Sequence, residues 1–180
     1  MKRNEGIRIA AGAMLAALYV VFSNYVVLNF GLIKFSFESI PVLLAGFLFG
    51  RREGLLVGIV GPFIAQALGS YGLSITTPLW ILPYAAAGWL AGLRLREDFL
   101  KNGKARTVLL TLICQITITV LTLAATYADA AIMGYPHGMT AVLIGMRFVN
   151  AILRTAVCCL IISAPLDILK RTVPGFENQR

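Results

Sequence analysis

Six apolar segments take up most of the 180-residue chain and restrict the folds that are open to it. They cover residues 7–28, 40–50, 55–68, 78–95, 107–132 and 139–169. A helix needs roughly 20 apolar residues to cross a bilayer, and four of the segments come near or exceed that length. The second and third are shorter, and we interpret them as short spans joined by a polar turn at residues 50–54.

Composition supports this interpretation, since 58% of the residues are hydrophobic and only 13% are charged. Soluble domains carry about 25% charged residues. The sequence therefore predicts an all-α integral membrane protein, a six-transmembrane-helix bundle that forms a single domain over residues 1–180.

The positive charges lie on one side of this predicted bundle. If the N-terminus is cytoplasmic, the inner ends and inner loops hold 13 of the 16 lysines and arginines. Of the others, Lys34 lies in an outer loop, and Arg147 and Arg154 lie inside the last apolar segment. Cytoplasmic loops of membrane proteins are enriched in Lys and Arg. We therefore expect both termini to be cytoplasmic, and the net charge of +8 to mark orientation rather than nucleic-acid binding.

Arg147 and Arg154 are the most informative charges, because an arginine at the centre of a membrane helix costs roughly 2.5–3.5 kcal/mol on insertion scales. Such residues usually face a cavity or a partner. Asn150 stands between them at helical spacing and shares their face. The last segment is therefore expected to present a polar stripe to the interior of the bundle.

The fifth segment carries a second polar stripe, with residues three or four apart: Thr111, Gln115, Thr119, Thr122, Thr126 and Asp129. A short turn at residues 134–138 makes the fifth and sixth segments antiparallel neighbours, so the two stripes should face each other or water. For the inner threonines we favour hydrogen bonds that join helices. For the outer half we favour a binding cavity, formed by Thr126, Asp129, Arg147, Asn150 and Arg154. Asp129 would neutralise Arg147, which leaves one arginine to attract a carboxylate or a phosphate.

The outer loops add further candidates for a small-molecule site. The first carries Lys34 and Glu38 in an apolar run, and Asn24 lies near the outer end of the first segment. The next, residues 69–78, combines glycines and hydroxyls with Tyr71 and is followed by Trp80. This composition is typical of a mobile lid over a pocket, or of an aromatic belt at the membrane surface.

Catalytic and metal-binding motifs are absent from the sequence. It contains no HExxH, GxSxG or Walker A pattern, and His137 is the only histidine. The three cysteines lie in apolar segments and predict buried thiols rather than disulfides. We therefore expect no enzymatic activity, no cofactor and no metal. If transport here is energised by ATP, other subunits must hydrolyse it.

The first segment is rich in alanine, and Ala13 and Ala17 form a pair of small residues four apart. Such pairs allow another helix to approach closely. We interpret them as a docking surface for a partner subunit, and the alternative is packing within the bundle itself.

These features together resemble the substrate-binding (S) components of energy-coupling factor (ECF) vitamin transporters. The resemblance covers nearly the whole chain and includes the alanine-rich first segment. It also rests on the run at residues 35–50, followed by Gly54-Leu-Leu-Val-Gly58. With Met146-Arg147-Phe148, this run is similar to the folate- and pantothenate-type branch.

The resemblance implies a multi-pass protein of the bacterial plasma membrane that captures a vitamin or vitamin precursor from outside. It also implies that the first helix docks on a transmembrane coupling subunit, which carries two cytoplasmic ATPases. The alternative function is that of a membrane scaffold, of the kind that shapes cells, with protein partners only. A small intramembrane enzyme is a weaker alternative, because the sequence offers no credible pair of nucleophile and base.

Overall fold

The computed structural model describes residues 2–30, 33–69, 72–93, 103–134, 145 and 148–161. Over these residues the chain forms six helices and one β-hairpin. In chain order they are α1 (Lys2–Asn24), β1 (Val27–Phe30), β2 (Ile33–Ser36), α2 (Ser39–Phe49), α3 (Arg51–Leu68), α4 (Thr77–Ala91), α5 (Gly103–Met133) and α6 (Phe148–Ile161). The predicted helical bundle is confirmed, with α6 covering the described part of the last apolar segment.

Among the described residues, one stretch, Thr107–Met133 within α5, is long and apolar enough to cross a bilayer, judged by length and composition alone. Shorter apolar helical stretches are Arg8–Asn24, Ser39–Phe49 and Phe148–Ile161. Large apolar side chains such as Met14, Ile152 and Leu160 are exposed on the outside, whereas Gln115 is buried inside. An exterior with so many large apolar side chains, around a core that holds a buried glutamine, is unusual for a protein in water and is favourable in lipid.

The hairpin was not predicted from the sequence. The first apolar segment was expected to be helical over residues 7–28, but its helix ends at Asn24. The strand Val27–Phe30 follows and pairs antiparallel with Ile33–Ser36. The apolar run continues through the end of the helix, so hydropathy alone does not reveal where the helix stops. Adjacent β-branched residues, Val26 and Val27, favour the extended conformation that follows.

Glycines bring α2, α3 and α4 into direct backbone contact. A Cβ atom added to Gly54 of α3 would overlap the carbonyl oxygen of Gly88 in α4, and one added to Gly88 would overlap that of Gly54. A Cβ added to Gly46 of α2 would lie 2.6 Å from the Cβ of Ala91. Helices in membranes commonly associate through small residues in this way, because close approach increases van der Waals contact.

Gly54→Ala is expected to destabilise the bundle by about 1–3 kcal/mol, the usual cost of overpacking a tight core. Gly6→Ala is the matched control, because a Cβ added there has no heavy atom within 4 Å. The control should leave stability unchanged or slightly raised, since alanine is the better helix former. Thermal unfolding of both variants in detergent measures the difference, and equal midpoints would contradict the close packing of α3 on α4.

Basic residues gather at one end of the bundle. Arg8 donates a hydrogen bond of 2.6 Å to the carbonyl oxygen of Phe49 and pairs with Glu53 at 2.7 Å. The Arg51 guanidinium lies 5.6 Å from the ring centroid of Trp89. The first part of α1, the α2–α3 turn and the last part of α4 therefore share one end, and the hairpin and the start of α2 lie at the other.

Candidate functional site

Four side chains with polar ends converge between the middle of the bundle and its hairpin end: Tyr19, Glu38, Tyr84 and Arg154. The Tyr84 hydroxyl donates a hydrogen bond to Oε1 of Glu38. The rings of Tyr19 and Tyr84 meet edge to face, with their centroids 5.3 Å apart. Arg154 is close enough to interact electrostatically with both tyrosines. The cluster therefore contains one negative charge, one positive charge and two aromatic hydroxyls, contributed by four separate parts of the chain.

Local sequence explains how these side chains reach one another. Tyr19 is 2% exposed and packs against α3 at Gly61, where an added Cβ would lie only 2.9 Å from the ring. Glu38 occupies the residue immediately before α2. Residues four apart on a helix share a face, so Trp80 lies one turn before Tyr84 on its face of α4. Asn150 lies one turn before Arg154 in the same way.

A layer of buried polar side chains lies beside the cluster, toward the inner part of the bundle. Nε2 of Gln115 donates to Oγ of Ser39 at 2.9 Å and to Sγ of Cys158 at 3.3 Å. Cys114, the residue before Gln115, donates to the carbonyl oxygen of Ala87 at 3.5 Å. These contacts link α5 to α2, α4 and α6, and all four side chains are almost completely buried.

The polar stripe of α5 is present, and its threonines bond mainly within their own helix. Thr119 and Thr126 each donate to the carbonyl oxygen four residues earlier, at 2.8 Å. Polar bonds that join helices, which we expected from the inner threonines, are made by Gln115 and by Thr111, whose side chain is hydrogen-bonded to Cys159 of α6. The Oγ1 atom of Thr122 is buried and has no hydrogen-bond partner among the described residues. A buried hydroxyl of this kind is available to a ligand or a water molecule.

Two of the residues predicted to bind substrate, Glu38 and Arg154, both interact with Tyr84, the first through a hydrogen bond and the second electrostatically. Thr126, Asp129 and Asn150 are half-buried, the first two in the second half of α5 and the third near the start of α6. Arg147 lies outside the described residues, so its predicted pairing with Asp129 stays a prediction.

The remaining predicted site residues lie around the hairpin end. Asn24 is exposed, and its Nδ2 donates to the carbonyl oxygen of Ala65 at 3.5 Å, which ties the end of α1 to α3. Lys34 lies on β2 opposite Asn29. Trp80 is half-buried on α4, and Tyr71 lies outside the described residues.

The described part of the predicted lid, which precedes α4, is an ordered turn. The Ser74 amide donates to Oγ1 of Thr77 at 2.9 Å, and the hydroxyls of Ser74 and Thr76 are 2.9 Å apart. These bonds satisfy the Ser74 amide and the hydroxyls just before and at the start of α4. A lid function for the loop stays a prediction.

An apolar groove of about 500 Å³ between α3 and α4 is distinct from the cluster. Its walls include Ile59, Phe63 and Leu82, whose side chains are all exposed on the outside of the bundle. It contains none of the four clustered residues, and its lining suits contact with lipid. Among the described residues, no group of three or more His, Cys, Asp or Glu side chains could hold a metal ion.

Tyr19 and Tyr84 were not singled out by the sequence analysis. Both occur in alanine-rich apolar segments, where tyrosine is easily counted as one more hydrophobic residue. A signal was nevertheless present, because a tyrosine hydroxyl buried in an apolar bundle needs a hydrogen-bond partner. Two such residues predict at least one buried polar partner, and the structure supplies Glu38.

Comparison with known proteins identifies the class. The family model described as "ECF transporter, substrate-specific component" matches residues 8–164, and the chain belongs to this family. It is a substrate-binding subunit of a vitamin transporter, and thus a membrane protein and a transporter subunit rather than an enzyme. This membership favours substrate capture over the scaffold alternative. A comparison with curated protein sequences gives no significant match.

Two solved structures share the fold. One is described as FolT bound with folic acid: it has a TM-score of 0.65 and 21% identity, and the match covers 93% of this chain and 94% of that one. The other is described as the S component of a bacterial ECF transporter, with a TM-score of 0.63 and 21% identity. That match covers 92% of this chain and 99% of the other.

Proposed function

We propose that the cluster of Tyr19, Glu38, Tyr84 and Arg154 binds the polar part of a small vitamin or vitamin precursor. The observation that carries this proposal is that Glu38, hydrogen-bonded to Tyr84, and Arg154, far away in sequence, both interact electrostatically with the same pair of tyrosines. Charged side chains inside a membrane bundle are costly and usually serve a substrate path or a ligand site. A purely structural core would gain more from apolar packing.

The chemistry of these residues defines the ligand. Arg154 offers a planar set of donors that matches a carboxylate or a phosphate. Glu38 accepts hydrogen bonds from N–H or O–H groups, and the tyrosine rings pack against a flat or apolar part. A ligand with an anionic group and donor groups fits, so folate-like and pantothenate-like molecules are the first candidates. The folic acid named for the similar FolT structure supports the choice of folate as the first probe.

The position of the site fits capture from outside the cell. We place the chain as a single multi-pass domain in the bacterial plasma membrane, with both termini and the Arg8–Glu53 end in the cytoplasm, as the distribution of positive charge favours. The hairpin end and the cluster then face outward. Ala13 and Ala17 are exposed on α1, which supports docking on a coupling subunit with two ATPases.

Isothermal calorimetry of the purified protein tests this function directly. Folic acid and pantothenate carry carboxylates, and riboflavin, which has none, is the neutral comparison. We expect at least one of the anionic vitamins to bind with micromolar or tighter affinity, about −8 kcal/mol or better. Absence of binding by either anionic vitamin, with riboflavin bound instead, would contradict the proposed ligand class.

Arg147→Ala is expected to weaken binding of the anionic ligand at least about tenfold, a loss of roughly 1.4 kcal/mol. The sequence places Arg147 two turns outward of Arg154 on the same helical stripe, where it can attract the ligand's charge. Arg51→Ala, at the opposite end beside Trp89, is the control and should bind normally. Equal affinities for the Arg147 variant and the wild type, in protein that elutes as a single species, would remove Arg147 from the site.

A further inference from the structure

The buried amide of Gln115 connects the two elements that carry the charged residues of the cluster. It donates to Ser39, which directly follows Glu38 at the start of α2. It also donates to Cys158, which lies one helical turn after Arg154 on α6. Sγ of Cys158 and Oγ of Ser39 are themselves 3.7 Å apart. One side chain on α5 therefore contacts the residue next to Glu38 and a residue one helical turn from Arg154.

This arrangement is costly unless it has a specific use. Gln115 is 1% exposed, and Ser39 and Cys158 are completely buried, so none of the three is hydrated at the bundle surface. A buried amide costs free energy unless its hydrogen bonds are made, and apolar side chains would fill the same space without that demand. Apolar contacts, however, tolerate sliding and rotation of one helix against another. Directional hydrogen bonds fix both, particularly in lipid, where the hydrophobic effect does not drive helices together.

We propose that Gln115 is a positioning residue for ligand binding. Its amide holds Ser39 and Cys158 at fixed places and thereby sets the separation and orientation of Glu38 and Arg154 across the site. Gln115 itself does not contact the ligand in this arrangement, because its two contacts with Ser39 and Cys158 lie within the buried layer. The inference rests on the proposed function of the cluster as the ligand site.

Gln115→Met tests the proposal, because methionine keeps the length and packing of the side chain and removes both hydrogen bonds. The matched control is Cys114→Ala, a change at the neighbouring buried residue, whose thiol donates to the carbonyl oxygen of Ala87 in α4 rather than to Ser39 or Cys158. With folic acid as the probe, Gln115→Met is expected to lower affinity about tenfold or more, whereas the control changes it less than about twofold.

A double variant separates positioning from general weakening of the core. If Gln115 acts through the placement of Glu38, then Gln115→Met should have little further effect on folic acid affinity in a Glu38→Gln background. If Gln115→Met only weakened the core, its fold-loss of affinity would instead multiply with that of Glu38→Gln, as the effects of independent changes do. Multiplication of the two effects would overturn the proposal.

Hydrogen exchange of the ligand-free protein provides a second test that needs no ligand. Gln115→Met is expected to speed amide exchange in the first turn of α2 and around Cys158 in α6, and Cys114→Ala is not. Unchanged exchange rates in both regions of Gln115→Met would overturn the positioning role, whichever ligand the protein binds. If wild type fails to bind folic acid while exchange changes as expected, the choice of ligand is wrong, and the hold of Gln115 on α2 and α6 stands. If wild type binds and Gln115→Met binds equally well, the positioning role is wrong and the ligand site stands.

Discussion

Replacing Glu38 by glutamine is expected to weaken ligand binding by about two orders of magnitude. The Glu38 carboxylate accepts a hydrogen bond from the Tyr84 hydroxyl, and Arg154 interacts electrostatically with the same tyrosine. Removal of one charge from such a group leaves the other charge buried and less well compensated, which costs about 2–5 kcal/mol at buried interfaces. Glutamine keeps the size of the side chain and removes only its charge, so the loss of affinity should not come from changed packing. It should include the hydrogen bond that the Glu38 carboxylate accepts from the ligand. Calorimetry with folic acid measures the change.

Glu53→Gln is the matched control for this variant. It makes the same chemical change at the opposite end of the bundle, where Glu53 pairs with Arg8 at 2.7 Å. Partly exposed pairs of this kind contribute at most about 1 kcal/mol to stability, and this one is far from the cluster. Ligand affinity should therefore be unchanged in Glu53→Gln. If both glutamine variants bind like the wild type, Glu38 does not belong to the site.

The second large effect is expected from Ala13→Trp or Ala17→Trp, which should abolish uptake by the assembled transporter and leave ligand binding intact. Both alanines are exposed on α1, and neither belongs to the buried cluster. Small residues allow a partner helix to approach closely, and an indole in their place holds that helix away. Uptake of labelled vitamin by cells that express the complete transporter measures the effect, and calorimetry on the isolated subunit checks binding.

Ala124→Trp is the control for bulk on an exposed surface, because Ala124 is also exposed, on α5 rather than α1. It should leave both uptake and binding unchanged. Normal uptake in the α1 variants would contradict docking through this face. Loss of uptake in all three variants would show that added bulk anywhere on the surface is disruptive, which also removes the specific role of Ala13 and Ala17.

The inward orientation of the polar residues in apolar segments could be predicted from the sequence. Arg154 stands in an apolar segment, and Gln115 interrupts a run of aliphatic residues at helical spacing. A residue that is expensive in lipid must face inward, so its orientation follows from energetics alone. Both side chains face the interior of the bundle, and Gln115 donates hydrogen bonds to Ser39 of α2 and Cys158 of α6.

Features that depend on how the helices are placed relative to one another, rather than on the free-energy cost of a polar group in lipid, could not be predicted in this way. Tyr19 and Tyr84 are compatible with lipid, and only their meeting in three dimensions gives them a polar role. Contact between Gly54 and Gly88 depends on the relative placement of α3 and α4, which spacing within one helix does not determine. The β-hairpin after Asn24 escaped detection because strand and helix are equally apolar there.

The most direct measurement of the central claim is mass spectrometry of the small molecule that remains bound when the protein is purified in detergent. Wild type is expected to retain a vitamin-like molecule with an anionic group, and Glu38→Gln is expected to lose most of it. Glu53→Gln, purified in parallel, should retain as much as the wild type. A bound vitamin present in equal amounts in all three preparations would contradict the assignment of the site to the cluster of Tyr19, Glu38, Tyr84 and Arg154.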